Sequence, residues 1–543
     1  MGRSCCATVT TPKRDPVGSS SEAYELIGRV MSELNFGRIF RHAERFGDEV
    51  AVHDLRSGHR TNYGEHFERV RQVCGAMSAL GIRSDAPFAV LANASHHYVE
   101  LWRAGLVGGG IINPLNTRLA ADEIVYILND SGAEILFVDA ANVRVALEVR
   151  ARVPRLRQIV QIGEDEAAGC DVRLDELMSE ASASFPTEPN ERAAAVLMYT
   201  GGTTGLPKGV LLSQRAIALV IYRMLIEFPI TTGTRFLNFM PMFHIGGITS
   251  WGLLLPVGGR TVILPAFEPI AVNRAIREHE ISLIGAVPTM LAQMLQQPDF
   301  EPGMLASLRL ILYGAAPMPP SLLDRLMTLS PDLSFAQSYG MTECASTVTV
   351  LNPLDHRRGG APLQSVGRAA VGVEIDIRTS DGGPSARGEI GEIYVRCDST
   401  MTEYWNKAEQ TQDSLLDGWY RSGDAGHLDA EGYLFLADRV KDMIVTGGEN
   451  VYSIEVENAI SSHPDVIQVA VIGLPDEFWG ETVHAVVVCD PAAIDEVELT
   501  AHARKTIAGF KVPKSWTLQP DPLPVTAAGK ILKRDLRERH AAR

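Results

Sequence analysis

The chain has 543 residues and a mass of 59.0 kDa, with 45% hydrophobic and 21% charged residues. This length predicts several domains, and the apolar fraction excludes disorder for most of the chain. Sixty-six acidic residues against 50 basic ones give a net charge of −16. That surplus argues against nucleic-acid binding, because phosphate neutralisation needs an excess of Lys and Arg. It leaves room for one basic pocket that binds an anionic ligand.

The cysteines and the apolar segments bear on the compartment. Seven scattered cysteines, an odd number, favour reduced thiols over a disulfide framework. Residues 1–35 are polar and lack the apolar core of a secretory signal, so they predict a flexible N-terminal tail. The sequence has no run of 18 apolar residues, so we expect no transmembrane segment and a cytoplasmic protein.

Helix and strand patterns alternate through the first two thirds of the chain. Phe67, Val70, Cys74 and Met77 repeat at helical spacing. The pattern also predicts a helix over Val99–Val107 and strands over Phe88–Ala92, Glu134–Val138, Val196–Tyr199, Ser282–Ala286 and Arg309–Tyr313. Such alternation predicts α/β architecture, with largely parallel sheets covered on both faces.

The pattern changes near residue 365. Short strands between Gly- and Asp-rich turns predict an antiparallel β subdomain, with strands over Val373–Arg378, Gly391–Arg396 and Tyr433–Leu436. A compact α+β unit follows a charged turn at 439–441. In that unit we predict helices over Ile454–Ser461, Glu498–Ile507 and Ile531–His540, strands over Val466–Gly473 and Glu481–Cys489, and a loop over Pro520–Lys530. The predicted domains are therefore a large N-terminal domain over 36–438 and a small C-terminal domain over 442–543.

The strongest functional signal follows the strand predicted at Val196–Tyr199. It is the segment Tyr199-Thr-Gly-Gly-Thr-Thr-Gly-Leu-Pro-Lys208-Gly. Glycines let a backbone approach a ligand closely, so N–H groups and Thr hydroxyls can surround phosphate oxygens while the lysine adds positive charge. The segment is not a Walker A loop, because Leu206 and Pro207 separate Gly205 from Lys208. A surface loop without function is the alternative, and the density of Gly and Thr disfavours it.

Seven further motifs follow in a fixed order. They are Met240-Pro-Met-Phe-His244, Tyr313-Gly-Ala-Ala-Pro317, Gln337-Ser-Tyr-Gly-Met-Thr-Glu343, Trp419-Tyr-Arg-Ser-Gly-Asp424, Asp438-Arg-Val-Lys-Asp442, Gly447-Gly-Glu-Asn450 and Pro524-Val-Thr-Ala-Ala-Gly-Lys530. With the loop, these motifs make residues 36–540 resemble the adenylate-forming superfamily, which includes acyl-CoA synthetases, aryl-CoA ligases, peptide-synthetase adenylation domains and beetle luciferases. The chain departs from the family pattern at Gly201, where Ser is usual, and at Ser453, where a proline is common.

The resemblance implies a site for ATP and Mg²⁺. The residues implied to bind the nucleotide are Thr200, Gly201, Gly202, Thr203, Thr204, Gly205, Lys208, Gly314, Ala315, Ala316, Pro317, Ser338, Tyr339, Gly340, Met341, Thr342, Asp424, Arg439 and Lys530. Glu343, with Thr200, is implied to hold Mg²⁺, and Asp424 to accept the ribose hydroxyls. The implied catalytic residues are Lys530, Thr200, Lys208, His244 and Glu343.

The resemblance also implies a moving C-terminal domain and a second substrate, coenzyme A. Lys441 matches the hinge, and Gly447, Gly448 and Glu449 match the face that lines the pantetheine tunnel after the domain rotates. His244 matches the gate of this tunnel. The acyl pocket is expected among Phe239, Met240, His244, Ile245, Gly246, Trp251, Gly314 and Met341.

The implied reaction is that of an AMP-forming acid–thiol ligase. A carboxylic acid and MgATP give acyl-AMP and pyrophosphate, and coenzyme A then takes the acyl group and releases AMP. The chain carries no appended carrier domain up to residue 543, which favours coenzyme A over a carrier protein as acceptor. The presence of Lys530, Glu343 and the Gly/Thr loop disfavours a catalytically silent nucleotide-binding homologue. His244 stands where amino-acid-adenylating domains typically carry Asp, which disfavours an amino-acid substrate.

Three questions stay open at this level. The sequence does not distinguish a fatty acid from a ring-bearing acid. Oxygenation of the luciferase type would be settled by light output. A homodimer is an expectation without a motif of its own.

Overall fold

The computed structural model describes residues 33–200, 206–316, 318–379, 381–439, 443–446, 449–476, 478–525 and 531–541. Within these ranges the strands form four sheets of nine, eight, five and five strands. Among the helices of the same ranges, none combines the length and the hydropathy that a bilayer crossing requires.

The nine-stranded sheet is parallel in its centre and antiparallel at both ends. Its strands, in order across the sheet, are Arg368–Ala369, Ser346–Leu351, Ser334–Met341, Leu310–Gly314, Leu283–Ala286, Arg235–Asn238, Arg260–Ile263, Val50–Asp54 and Arg60–Asn62. The parallel centre puts the carboxyl ends of Leu310–Gly314 and Ser334–Met341 side by side, and both strands run into predicted nucleotide motifs.

The eight-stranded sheet has the same mixed character. Its strands, in order, are Glu403–Tyr404, Lys208–Ser213, Ala194–Thr200, Ile111–Pro114, Pro87–Leu91, Ile135–Asp139, Gln158–Ile162 and Val172–Arg173. The first two strands are antiparallel to their neighbours, whereas the other pairings are parallel. The parallel strands are buried on both faces, which explains their continuous apolar sequences.

The two five-stranded sheets belong to the last third of the chain. The antiparallel sheet contains Val373–Arg378, Gly391–Cys397, Trp419–Leu428, Leu415–Leu416 and Leu434–Arg439. The C-terminal sheet contains Glu449–Val451, Ile444–Thr446, Gly480–Val488, Gln468–Asp476 and Ser515–Gln519, the last parallel to its neighbour. The predicted fold class, parallel-sheet α/β subdomains followed by an antiparallel sheet and an α+β unit, is thus confirmed.

The helices lie between and over these strands. The α-helices are Phe36–Ala43, Tyr63–Ala79, His96–Ala104, Ala121–Ser131, Val143–Arg150, Leu174–Glu180, Gln214–Glu227, Pro269–Glu278, Pro288–Leu295, Pro320–Leu329, Pro353–Arg358, Ala408–Ser414, Ser453–Ser461, Glu496–Ala503 and Lys533–Ala541. Side chains of Asn35, Asn62, Ser95 and Asp495 accept backbone N–H groups and so fix four of the N-termini.

The hydrophobic cores follow the sheets. Among the described residues, four clusters of buried side chains lie within positions 36–434, and two lie entirely within positions 444–536. The last 100 residues therefore bury apolar side chains among themselves, as a separate folding unit does.

Two predicted boundaries need correction. Leu34 and Asn35, assigned to the flexible tail, contact the folded body, where the Leu34 N–H donates to Glu191 and the Asn35 amide donates to Glu188. The helix predicted over Val99–Val107 begins earlier, at His96, because the Ser95 hydroxyl accepts the Tyr98 N–H. It is α-helical to Ala104 and continues as a π-helical turn over Gly105–Gly109. The rest of tail 1–32 lies outside the described residues.

Candidate active site

The predicted phosphate loop is flanked by the two strands of a β-hairpin. Strands Ala194–Thr200 and Lys208–Ser213 are antiparallel, and Thr200 lies opposite Lys208 at the end of the ladder. The Tyr199 hydroxyl donates to Asp130 Oδ2 at 2.7 Å, which ties the base of the hairpin to the end of helix Ala121–Ser131. Thr200 and Lys208 are therefore held side by side where the loop begins and ends.

The strand Glu403–Tyr404 brings an aromatic ring next to this lysine. Tyr404 is the antiparallel partner of Val210, which points to the same face as Lys208 because side chains alternate along a strand. Accordingly, the Lys208 ammonium lies 5.0 Å from the centroid of the Tyr404 ring, a cation–π contact. Sheet pairing thus places Tyr404 next to Lys208, although 196 residues separate the two in the sequence.

The same tyrosine reaches the predicted metal carboxylate. The Tyr404 hydroxyl donates to Glu343 Oε1 at 2.9 Å and lies 3.3 Å from the Tyr420 hydroxyl. Burial raises the pKa of the Tyr404 phenol, and the nearby Glu343 charge raises it further, so the phenol stays a donor at neutral pH. Lys208, Tyr404 and Glu343 form one continuous chain of contacts, which we call the lysine–tyrosine–glutamate chain.

Tyr404→Phe is expected to slow adenylation about tenfold, because a hydrogen bond to a charged group contributes about 1.5 kcal/mol or more. The ring beneath Lys208 is kept, so the loss isolates the bond that positions Glu343. The measurement is ATP–pyrophosphate exchange at several Mg²⁺ concentrations. Tyr420→Phe is the matched control. It should slow adenylation less, because the Tyr420 hydroxyl contacts the Tyr404 hydroxyl, whereas the Tyr404 hydroxyl is the one that donates to Glu343. Equal rates in Tyr404→Phe and wild type would show that this bond does not position the carboxylate.

A glycine lets two strands meet beside the expected adenine. Gly314 is the parallel partner of Ser338, and a Cβ at Gly314 would lie 2.5 Å from the Ser338 carbonyl oxygen. Ala315, the next residue, has a φ of 64° and is exposed. Ala316 is half-buried. The segment thus ends its strand in a small, sharply turned backbone without side-chain bulk, which suits a flat base.

Gly340→Ala is expected to destabilise the fold severely. The strand Ser334–Met341 is irregular at Gly340, and a Cβ there would lie 1.5 Å from the Ser346 carbonyl oxygen. Overpacking typically costs about 1–3 kcal/mol, and overlap with backbone should exceed this range. Thermal unfolding measures the loss. Gly303→Ala, where a Cβ would meet nothing within 4 Å, should change the melting temperature little. A melting temperature like wild type in Gly340→Ala would show that the strand adapts.

The predicted ribose carboxylate is tied to the same strand. The Tyr339 hydroxyl donates to Asp424 Oδ2 at 2.7 Å. Burial raises the pKa of Tyr339 well above its usual value, and the charge of Asp424 raises it further. Asp424 lies opposite Arg439 in the antiparallel pair of strands Trp419–Leu428 and Leu434–Arg439. This bond therefore joins the antiparallel sheet to the nine-stranded sheet at the nucleotide motifs, with Met341 and Thr342 half-buried just beyond.

His244 stands at the start of a short helical turn, Ile245–Gly247, and its ring packs at 5.6 Å from that of Phe243. Burial lowers the pKa of His244 to about 4, and the charge of Arg118 adds to this. The imidazole is therefore neutral near pH 7. It can offer a hydrogen bond or an apolar face, but no positive charge.

The residues predicted for the acyl pocket lie in different surroundings. Phe239 is fully buried in one core cluster, against which Met240 packs, whereas Ile245 and Trp251 belong to another. The Trp251 indole is fully buried and stacks on Trp102 at 4.3 Å. Gly246 is exposed. Of this set, Phe239, Ile245 and Trp251 therefore pack in the hydrophobic cores.

Several predicted site residues lie outside the described residues. They are Gly201, Gly202, Thr203, Thr204, Gly205, Pro317, Lys441, Gly447, Gly448 and Lys530. Glu449 begins the strand Glu449–Val451, which pairs with Ile444–Thr446. Val525 and Ile531 form an antiparallel bridge, so the two ends of the segment that carries Lys530 lie next to each other.

Sequence reasoning missed Tyr404 and Asp130. Asp130 lies in the last turn of the helix Ala121–Ser131, and its backbone carbonyl also accepts the indole N–H of Trp405. Tyr404 sits on a strand of two residues. Neither has a local pattern, because their roles depend on pairings between distant segments. The aromatic pair at 404–405 is the one signal that could have drawn attention to this stretch.

Comparison with known proteins identifies the family. A family model described as AMP-binding enzyme matches residues 39–405, and one described as AMP-binding enzyme C-terminal domain matches residues 455–530. The chain is 36% identical to a feruloyl-CoA synthase of an Amycolatopsis species, over 89% of this chain and 94% of that protein. It is 34% identical to the fatty acid–acyl-carrier-protein ligase ScoC of Streptomyces coeruleorubidus, over 92% and 95%.

A solved structure agrees with these relatives. ATP-bound MatB from Rhodopseudomonas palustris superposes with a TM-score of 0.84 at 28% identity, covering 94% of this chain and 99% of that one. The two family models contain the motifs at 199–209, 240–244, 313–317, 337–343 and 524–530. The chain therefore belongs to the AMP-binding enzyme family of the adenylate-forming superfamily and is an AMP-forming acid–thiol ligase.

Proposed function

We propose that this enzyme converts a fatty or ring-bearing carboxylic acid to its acyl-AMP and then to its coenzyme A thioester. The observation that carries the proposal is the lysine–tyrosine–glutamate chain beside the loop hairpin. One phenol there separates a cation suited to phosphates from a carboxylate suited to a metal ion. Such an arrangement supports the binding of a nucleoside triphosphate rather than of a neutral ligand.

The donor set at Glu343 fits Mg²⁺. This ion prefers oxygen ligands and is often held by one or two carboxylates together with substrate phosphates. Among the described residues, Tyr404 donates to Glu343 Oε1 and no donor reaches Oε2. Glu343 and the Thr200 hydroxyl would hold the ion, which would neutralise charge on the phosphates.

In the first half-reaction the acid attacks the α-phosphorus of ATP and pyrophosphate leaves. Lys208 and residues 200–205 hold the phosphates, Asp424 accepts the ribose hydroxyls with Arg439 nearby, and the segment 314–317 lies against the base. Lys530 stabilises negative charge on both reacting groups. His244, neutral because of its lowered pKa, flanks the substrate carboxylate without pairing with it.

In the second half-reaction the coenzyme A thiol attacks the acyl carbonyl and AMP leaves. The domain 442–543 turns about the hinge 439–441 relative to the domain 36–438. This motion removes Lys530 and brings Gly447, Gly448 and Glu449 to the pantetheine tunnel. The separate hydrophobic clusters of residues 444–536 support a unit that moves as one body.

Lys441→Pro is expected to spare adenylation and to reduce thioester formation at least tenfold. Proline holds φ near −65° and so opposes the rotation at the hinge. The two half-reactions are measured separately, by pyrophosphate exchange and by thioester formation from supplied acyl-AMP. Lys441→Ala is the control, and both of its half-reactions should keep their rates. Equal losses in both half-reactions of Lys441→Pro would contradict the rotation.

The acceptor is tested with one panel of acids of different chain length and ring content. Release of AMP is measured with coenzyme A and, separately, with a phosphopantetheinylated carrier protein. We expect turnover with coenzyme A to be at least about tenfold faster. The similarity to ScoC favours the carrier protein as second candidate, and the opposite ratio would establish it. Failure of every acid to support adenylation would favour a silent homologue.

One further expectation belongs to this proposal. We place the reaction in the cytoplasm, where ATP and the reduced thiol of coenzyme A are both available. Neither the single chain nor its relatives support the homodimer expected as an option from sequence.

A further inference from the structure

Three histidine side chains lie against one another in the N-terminal domain, outside the motifs of the active site. His59 is in the loop 55–59, between the first two described strands, and His96 is the first residue of the helix His96–Ala104. The His59 and His96 rings stack with their centroids 3.9 Å apart, and the His97 ring lies 4.0 Å from that of His96. The mechanism proposed above uses none of these side chains.

Glu100 adds a carboxylate to this cluster. It lies four residues after His96, and side chains at this spacing share one face of a helix. One nitrogen or oxygen atom from each of His59, His96 and Glu100 lies within 4.8 Å of the other two. Two ligands of a tetrahedral Zn²⁺ ion, each about 2.1 Å from it, are roughly 3.4 Å apart. Side-chain rotations that close at most about 1.4 Å would therefore bring all three atoms onto one ion.

Asp54 orients the His96 ring. Its Oδ2 atom accepts the His96 backbone N–H at 3.0 Å and lies 3.0 Å from His96 Nδ1, and both side chains are buried. An ionised carboxylate only accepts hydrogen bonds, so Nδ1 carries the ring proton and Nε2 presents its lone pair. Histidines that bind metal ions are commonly held by a carboxylate in this way.

The cluster also contains buried ring nitrogens that no described residue satisfies. They are His59 Nε2, His97 Nδ1 and both ring nitrogens of His66, a residue that is 1% exposed. His66 lies three residues before Arg69 on one helix, so it shares the face from which the Arg69 guanidinium donates to Glu100. Unpaired polar atoms are costly to bury, and several of them together call for an explanation such as a bound ion.

Arg69 competes with an ion for Glu100. Its guanidinium donates to both carboxylate oxygens, at 2.6 and 3.0 Å. Each oxygen keeps a further lone pair, and a second carboxylate is close, because Asp175 Oδ1 lies 4.0 Å from Arg69 Nη2. The Arg69 side chain is 24% exposed, whereas that of Glu100 is fully buried. Arg69 can therefore turn toward Asp175 and solvent while Glu100 keeps its place.

We propose that His59, His96 and Glu100 bind one Zn²⁺ ion, which ties the loop 55–59 to the start of the helix His96–Ala104. Two imidazoles and a carboxylate are typical ligands of Zn²⁺, whereas Mg²⁺ and Ca²⁺ prefer oxygen ligands alone. The ion is therefore distinct from the Mg²⁺ assigned to Glu343. Its role is structural, because none of its three ligands belongs to a nucleotide, coenzyme A or acyl motif.

The test adds Zn²⁺ to purified full-length protein after a chelator has removed its metal ions. Affinity and stoichiometry are measured by competition with a chromophoric chelator, and thermal unfolding is followed with and without Zn²⁺. We expect one ion per chain and a higher unfolding temperature with Zn²⁺, because an ion that binds only the folded chain stabilises it. None of these measurements requires adenylation, so their failure is distinguishable from failure of the proposed function.

Cobalt identifies the ligands. Co²⁺ in place of Zn²⁺ should give visible absorption bands without a sulfur-to-cobalt charge-transfer band, since the proposed ligand atoms are nitrogen and oxygen. This spectrum separates the proposed site from binding to any of the seven cysteines.

Variants locate the ion. His59→Gln should fold, because His59 is half-buried in a loop. Loss of a group that orients a ligand costs about 10–100-fold in metal affinity, so loss of the ligand itself should cost at least about 100-fold. Asp54→Asn should accordingly weaken binding about 10–100-fold. His42→Gln is the matched control, because His42 is exposed on the helix Phe36–Ala43, and it should bind Zn²⁺ like wild type.

Three outcomes would overturn the proposal. The first is folded wild-type protein that binds Zn²⁺ no more tightly than His59→Gln does. The second is an equal loss of affinity in His42→Gln and His59→Gln. The third is a sulfur-to-cobalt charge-transfer band from the bound Co²⁺, which would place the ion on cysteines.

Discussion

Replacing Lys530 with alanine is expected to abolish acyl-AMP formation and to leave thioester formation from supplied acyl-AMP within about tenfold of wild type. The carboxylate and the α-phosphate are both negative, so the ammonium stabilises the transition state of the first half-reaction only. The measurements are ATP–pyrophosphate exchange with acid and thioester formation from synthetic acyl-AMP and coenzyme A.

Arg534→Ala is the matched control for Lys530→Ala. This substitution removes the same charge four residues away, from a side chain that is 73% exposed. Both half-reactions should keep their rates in this control. If Lys530→Ala changes neither half-reaction, the lysine is a surface charge. If it lowers both equally, the lysine does not leave the site between the steps.

Glu343→Gln is expected to reduce adenylation by about 10²-fold or more, by comparison with the loss of other electrostatic stabilisers. Glutamine keeps the shape of the side chain and an oxygen that can accept from Tyr404. The charge that would hold the metal ion is lost. Pyrophosphate exchange measured against Mg²⁺ concentration should show the loss at every concentration.

Glu409→Gln is the control for charge alone, because Glu409 is exposed on the helix Ala408–Ser414. It should exchange pyrophosphate at the rate of wild type. Exchange near the wild-type rate in Glu343→Gln would exclude this carboxylate as a metal ligand.

Local patterns predicted most of the elements correctly. The strand over Val373–Arg378 has the predicted bounds, because alternation and flanking turns fix both ends. The helix predicted over Glu498–Ile507 is Glu496–Ala503. Its start was misplaced because Asp495 accepts the Glu498 N–H and caps the helix earlier. Such caps depend on a single side chain, which periodicity does not register.

The candidate site was predicted less completely. Motif order supplied Lys208, Glu343, Tyr339 and Asp424, but it did not indicate that phenol hydroxyls bond to the two carboxylates. Tyr339 stays a predicted nucleotide contact, and the bond from its hydroxyl to Asp424 is an additional role that the motif did not indicate. Tyr404 was not expected at all. Both bonds join segments more than 60 residues apart, and such contacts follow from sheet packing rather than from any local pattern.

The central claim is that the chain forms an acyl-AMP before any thiol is involved. It is tested most directly by ATP–pyrophosphate exchange without coenzyme A, across the panel of fatty and ring-bearing acids, with purified full-length protein. The account predicts exchange that requires Mg²⁺ and one of these acids, and that is absent when the acid is omitted. Folded protein that shows no exchange with any acid, or that needs coenzyme A for exchange, would contradict it.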